Sequence, residues 1–170
     1  MVESQDTNTQ TLDNGTQGLT SMHLRHELDI DASRQAVWDI LTRRIDDWWR
    51  HPYRIEEGDG TMRLQLAPHG SLSEHWKDNG FATWGQVSHL DPGTTLELTG
   101  PCGMGAVHGV FTFHLEDRGD GVVLSLTHDA FGVIREAVQD DYEQSWQIML
   151  NRLKELAEGK LAYGANARTV

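Results

Sequence analysis

The chain has 170 residues, 38% of them apolar, with 17 glycines besides: enough for one domain with its own core and too few for two. A formal charge of −12 repels phosphate backbones and anionic lipid, so neither nucleic acid nor a membrane surface is an expected partner. The single cysteine, Cys102, excludes an internal disulfide framework and a cysteine-based zinc site, and with no bilayer-length apolar run and no secretory signal the expected location is cytoplasmic.

Residues 1–20 are polar and aperiodic and read as a disordered tail. Met22, Leu24, His26, Leu28 and Ile30 then alternate with His23, Arg25, Glu27, Asp29 and Asp31, the period-two pattern of a half-buried strand. Ser33 is placed to cap a helix whose apolar stripe is Val37, Ile40 and Leu41, with Trp38 beside it. Asp46-Asp47-Trp48-Trp49 suggests a short second helix stopped by Pro52.

A run of strands is expected next, over 61–67, 71–77, 81–90, 94–99, 107–116 and 122–130, separated by turn signals such as Asp91-Pro92-Gly93 and Arg118-Gly119-Asp120-Gly121. In the second of these, Leu72, Glu74 and Trp76 share one face, and Ser73, His75 and Lys77 suit solvent. Phe111, Phe113 and Leu115, and then Leu124, Leu126 and His128, point inward in the last two strands. Tyr142, Trp146, Met149, Leu153 and Leu156, widened by Leu150, form the stripe of a long helix over 134–158. Residues 160–170 look frayed, so the domain is 21–159, an α+β unit with an antiparallel meander.

Within this order, Val37-Trp38 with Leu41-Thr42, Trp48-Trp49, Gly70 with Glu74, Gly85 and Val87 before Pro92 and Leu96, Leu98-Thr99-Gly100-Pro101, Leu126-Thr127-His128, and Trp146, Leu150, Leu153 and Lys154 carry a resemblance. The chain resembles the START-like, or SRPBCC, superfamily, and within it the bacterial group similar to the C-terminal domain of the activator of the ninety-kilodalton heat-shock-protein ATPase. Ser145 departs from the pattern, since many relatives have glycine before the tryptophan. The resemblance implies a helix-grip fold, a curved antiparallel sheet around the C-terminal helix, often enclosing an apolar cavity. It implies little about chemistry, because such folds bind lipids, hormones or polyketides, catalyse cyclisations, or contact a chaperone. The separate N-terminal chaperone-binding domain of the co-chaperone is not expected here, since only a polar tail precedes the first strand.

His26, Glu74 and His128 stand out as polar groups in phase with apolar neighbours. A buried carboxylate or imidazole needs a partner, a water or a bound molecule. His26, Glu74, Trp76, Trp84, His128 and Tyr142 are therefore the candidate ligand-contacting residues, with His26 or His128 as the expected hydrogen-bond partner of Glu74. The competing reading for each is a polar group satisfied within the core, and for the six tryptophans plain packing. The nine histidines lack metal-ligand spacing, so no metal and no cofactor is expected. Gly100-Pro101-Cys102-Gly103-Met104-Gly105 lacks a phosphate-loop ending and reads as a flexible loop at the mouth of the cavity. The leading expectation is non-catalytic binding of a small apolar molecule. The alternatives are a cyclase or dehydratase using Glu74 with His26 or His128, and a protein-interaction module that stimulates a chaperone ATPase; as partners, a protein or a second copy in a homodimer stays open.

Overall fold

The computed structural model describes residues 18–55 and 60–162. The expectations for residues 1–17 and 163–170 lie outside them. Strand β1 (Thr20–Ile30) opens the fold, two residues earlier than the alternation suggests, and its burial follows that alternation through Ile30. Helix α1 (Arg34–Thr42) starts where Ser33 Oγ accepts from Ala36 N at 3.3 Å, and it buries Val37, Trp38, Ile40 and Leu41. A single turn, α2 (Ile45–Trp48), buries Ile45 and Trp48. Trp48 Nε1 donates back to the Ile40 carbonyl at 3.0 Å, tying α2 under α1.

Strands β2 (Thr61–Leu64), β3 (Ser71–His75), β4 (Phe81–Asp91), β5 (Thr95–Gly100), β6 (Val107–Arg118) and β7 (Gly121–Gly132) follow. All neighbours are antiparallel, in the order β1-β7-β6-β5-β4-β3-β2. The meander is thus continuous from β2 to β7, and β1 closes against β7 with Leu24 opposite His128. Helix α3 (Glu136–Ala157) is about 33 Å long at the usual rise per residue. It packs against β1, α1 and α2. Trp146, Met149, Leu150, Leu153 and Leu156 are buried on its inner side. Ser145 is accommodated in the helix by donating its hydroxyl to the Asp141 carbonyl at 2.6 Å. This is the helix-grip architecture.

Three expectations change. Strand β2 ends at Leu64 because Ala67 N and Gly70 N turn back onto the Gln65 and Ala67 carbonyls. Strand β3 ends at His75, so Trp76 is outside it. The pairing of β3 with β4 slips between Leu72 and Ser73, where Leu72 faces Gly85 and Ser73 faces Thr83, leaving Trp84 as the extra residue of a bulge. Leu72, Ser73 and Glu74 are all buried, and Ser73, on the same strand face as His75 with its Oγ 2.9 Å from His75 Nε2, is not exposed to solvent. At the C-terminal end Lys160 N and Leu161 N still bond to the Glu155 carbonyl, and Leu161 packs on the core, so the chain holds together beyond 159.

Candidate functional site

The polar groups inside the sheet fall into two clusters joined by tryptophan rings. The first surrounds Glu74, which has no exposed surface. Its Oε2 accepts from Ile55 N at 2.9 Å and from Trp84 Nε1 at 3.3 Å. The expected partnership with His26 or His128 does not form, because those residues sit on β1 and β7, at the other end of the strand order. The bulge supplies the partner instead by turning Trp84 inward. Beside Glu74, Arg54 anchors the segment after α2. Its side chain is only 5% exposed and pairs with Asp46 at 2.6 Å. Its other donors reach the carbonyls of Trp49 at 2.6 Å and of Gly60. Burial lowers the Arg54 pKa and the Asp46 carboxylate opposes that shift.

The second cluster surrounds His128, also without exposed surface. Trp146 Nε1 donates to its Nδ1 at 3.1 Å, and its Nε2 has no hydrogen-bond partner among the described residues. Phe111, Tyr142 and Trp146 enclose the imidazole, with ring centroids 5.5, 5.8 and 6.0 Å away. Desolvation pushes its pKa down from 6.5 to about 4, against a smaller opposing pull from Asp129. His26 lies one row along the same sheet face, opposite Leu126, and its Nε2 is likewise buried and unpartnered.

Trp49 bridges the clusters, with its ring 5.2 Å from that of Trp84 and 5.2 Å from that of Trp146. The glycine-rich loop closes over this region and is pinned at both faces. Cys102 N donates to the Trp84 carbonyl at 2.9 Å, and Tyr142 Oη donates to the Cys102 carbonyl at 2.5 Å. Cys102 is fully buried, which raises its thiol pKa and disfavours the nucleophilic thiolate. The sequence reading of this loop as flexible missed these two anchors.

Of the six candidate residues, the structure brings His128 and Tyr142 together, and Glu74 with Trp84. Trp76 stands apart: half-buried past the end of β3, it covers Gly80 across the turn at Lys77–Asn79 and does not join the core. Sequence reasoning missed Trp49 and Trp146 as the links between the polar clusters and missed Arg54 altogether. Among the described residues no cluster of three or more metal-ligating side chains occurs, and no helix is long and apolar enough to cross a membrane.

The family described as "Activator of Hsp90 ATPase homolog 1-like protein" matches residues 31–158, most of the folded chain. The chain belongs to this family. The two clusters are thus embedded in an activator-of-Hsp90-ATPase-homologue-like domain of helix-grip form. Among solved structures, it is similar to a conserved protein of unknown function from Enterococcus faecalis (20% identity, 88% of this chain and 78% of that one, TM-score 0.63). It is also similar to the Aha1 dimer from Colwellia psychrerythraea (17% identity, 81% and 96%, TM-score 0.57). A third is the DynU16 protein of the dynemicin biosynthetic locus (18% identity, 81% and 48%, TM-score 0.59). At these identities the likeness is one of fold. No protein of curated function matches the chain.

Proposed function

We propose that this domain binds a small, largely apolar molecule between the sheet and α3, at the His128 cluster, with no catalytic step assigned. The observation that carries the reading is the unpartnered Nε2 of a fully buried His128 inside a cage of aromatic rings. An unmatched buried polar atom costs about 1–3 kcal/mol, which a bound polar group would offset. Flat aromatic walls suit a flat apolar skeleton. Entry is by displacement of the loop around Cys102, which Tyr142 latches through one hydrogen bond. The fold is shared with the DynU16 protein of a biosynthetic locus, which is in keeping with a small-molecule ligand.

The acid–base alternative has less support. Glu74 is occupied by Ile55 and Trp84, and an imidazole with a pKa of about 4 is a weak base at neutral pH. Self-association has one favourable observation, the exposed Phe131 beside His108 on the outer face of β6 and β7, in a fold whose Colwellia representative is a dimer. Sedimentation of the purified chain tests it, with a monomer at all concentrations as the contrary result.

Native mass spectrometry of protein purified without detergent tests the main reading. The expected result is an added mass of a small organic molecule that is lost in Trp146→Ala. A bare chain that also takes up no naphthalene derivative at saturation overturns it.

A further inference from the structure

We infer that Trp146 is a positioning residue that holds His128 in its Nε2–H tautomer, so that the interior selects a ligand bearing a hydrogen-bond acceptor, a ketone or ester carbonyl on an apolar skeleton. This rests on the reading that a small apolar molecule enters the His128 cluster.

An indole N–H donates and never accepts. Trp146 Nε1 lies 3.1 Å from His128 Nδ1, so Nδ1 must present its lone pair there. A neutral imidazole carries one proton, which is then on Nε2. Burial keeps the ring neutral at physiological pH. The Nε2–H is therefore a fixed donor with no acceptor among the described residues.

Strand β6 passes close to the ring: a Cβ at Gly109 would lie only 3.2 Å from Nε2 and 3.1 Å from the Gly100 carbonyl oxygen, and glycine omits that atom. Phe111 and Trp146 offer no acceptor oxygen, the Tyr142 hydroxyl is turned to the Cys102 carbonyl, and the nearby Gly100 carbonyl makes no hydrogen bond to Nε2. A hydrocarbon placed here leaves the N–H unmatched. An ammonium group sets donor against donor. A carbonyl oxygen satisfies the N–H, and the difference is the cost of one buried unpaired donor, enough for about tenfold selectivity.

Two measurements on the wild-type chain and two variants decide the matter. Long-range nitrogen-15 spectra of the histidine rings at neutral pH are expected to show His128 with a protonated Nε2 and a lone pair on Nδ1. Trp146→Phe, which keeps a ring and removes the donor, is expected to lose that preference. Calorimetric titration then compares 2-acetylnaphthalene with 2-isopropenylnaphthalene, the same shape with a methylene in place of oxygen. The ketone is expected to bind about tenfold more tightly, and His128→Leu to bring the two within about twofold. A protonated Nδ1 in the wild type overturns the inference, as does equal affinity for the two probes. Failure of both probes to bind strikes at the ligand reading itself and removes acceptor selection with it, while the spectra still report the tautomer.

Discussion

A neutral imidazole in the middle of a core makes the stability of this chain depend on acid. The folded pKa of His128, about 4, lies below its ordinary value of 6.5. Below 6.5 the unfolded chain takes up a proton that the folded chain refuses, so unfolding gains on folding as the pH falls toward 4. The stability that the neutral ring permits is complete above that window and is lost across it, by roughly 3 kcal/mol. Urea midpoints measured across the window should fall more steeply in the wild type than in His128→Leu, and parallel slopes would show that His128 titrates normally. Glu74 behaves differently, because protein donors already satisfy its Oε2. Glu74→Gln places an amide where two donors converge and should cost about 1–3 kcal/mol in denaturant titration while leaving probe uptake near wild type. Unchanged stability with lost uptake would instead assign Glu74 to the ligand.

At the scale of elements, caps and anchors set the geometry. Ser33→Ala should lower stability by about 1 kcal/mol, since it removes the only side-chain acceptor seen at the start of α1. Arg54→Leu should cost more, at least the roughly 1.5–3 kcal/mol of one charge-assisted hydrogen bond, because a guanidinium that is 5% exposed holds Asp46 and the carbonyls of Trp49 and Gly60. A denaturation midpoint for Arg54→Leu equal to wild type would mean that these contacts do not form in solution. These elements were unequally legible in the sequence. The strand β1, the stripe of α3 and the inward set of β6 follow strict periods, and each period is dictated by one buried face. The register of β3 and β4 was not legible, because a bulge adds one residue without any local mark and turns Trp84 inward. The partner of Glu74 was missed for the same reason: phase along one strand says nothing about which strand curls over to meet it. His128 was found by phase, but the donor that fixes its proton comes from α3, a contact between elements distant in the chain.

The whole molecule hangs together through Trp146. Its ring is 1% exposed and lies edge-on to Trp49 and Phe113, with Phe111 tilted across it, so one side chain of α3 touches the residue that ends α2 and the inner face of β6. Its N–H adds β7 through His128. Truncating this residue removes a large apolar surface and leaves a cavity that rigid neighbours cannot close, the condition under which the penalty is greatest. Trp146→Ala should therefore cost about 3–5 kcal/mol, read as a shift of the urea midpoint. Trp146→Phe keeps most of the ring contacts and loses only the hydrogen bond, so its cost should be the smaller, about 1–3 kcal/mol for the buried Nδ1 left without a donor. The ordering matters more than either value. If both variants lose the same amount, the hydrogen bond to His128 dominates and the aromatic packing contributes little. If Trp146→Ala unfolds at the wild-type midpoint, α3 is not gripped by the sheet at this position, and the cage around His128 is not the closed interior that its geometry describes.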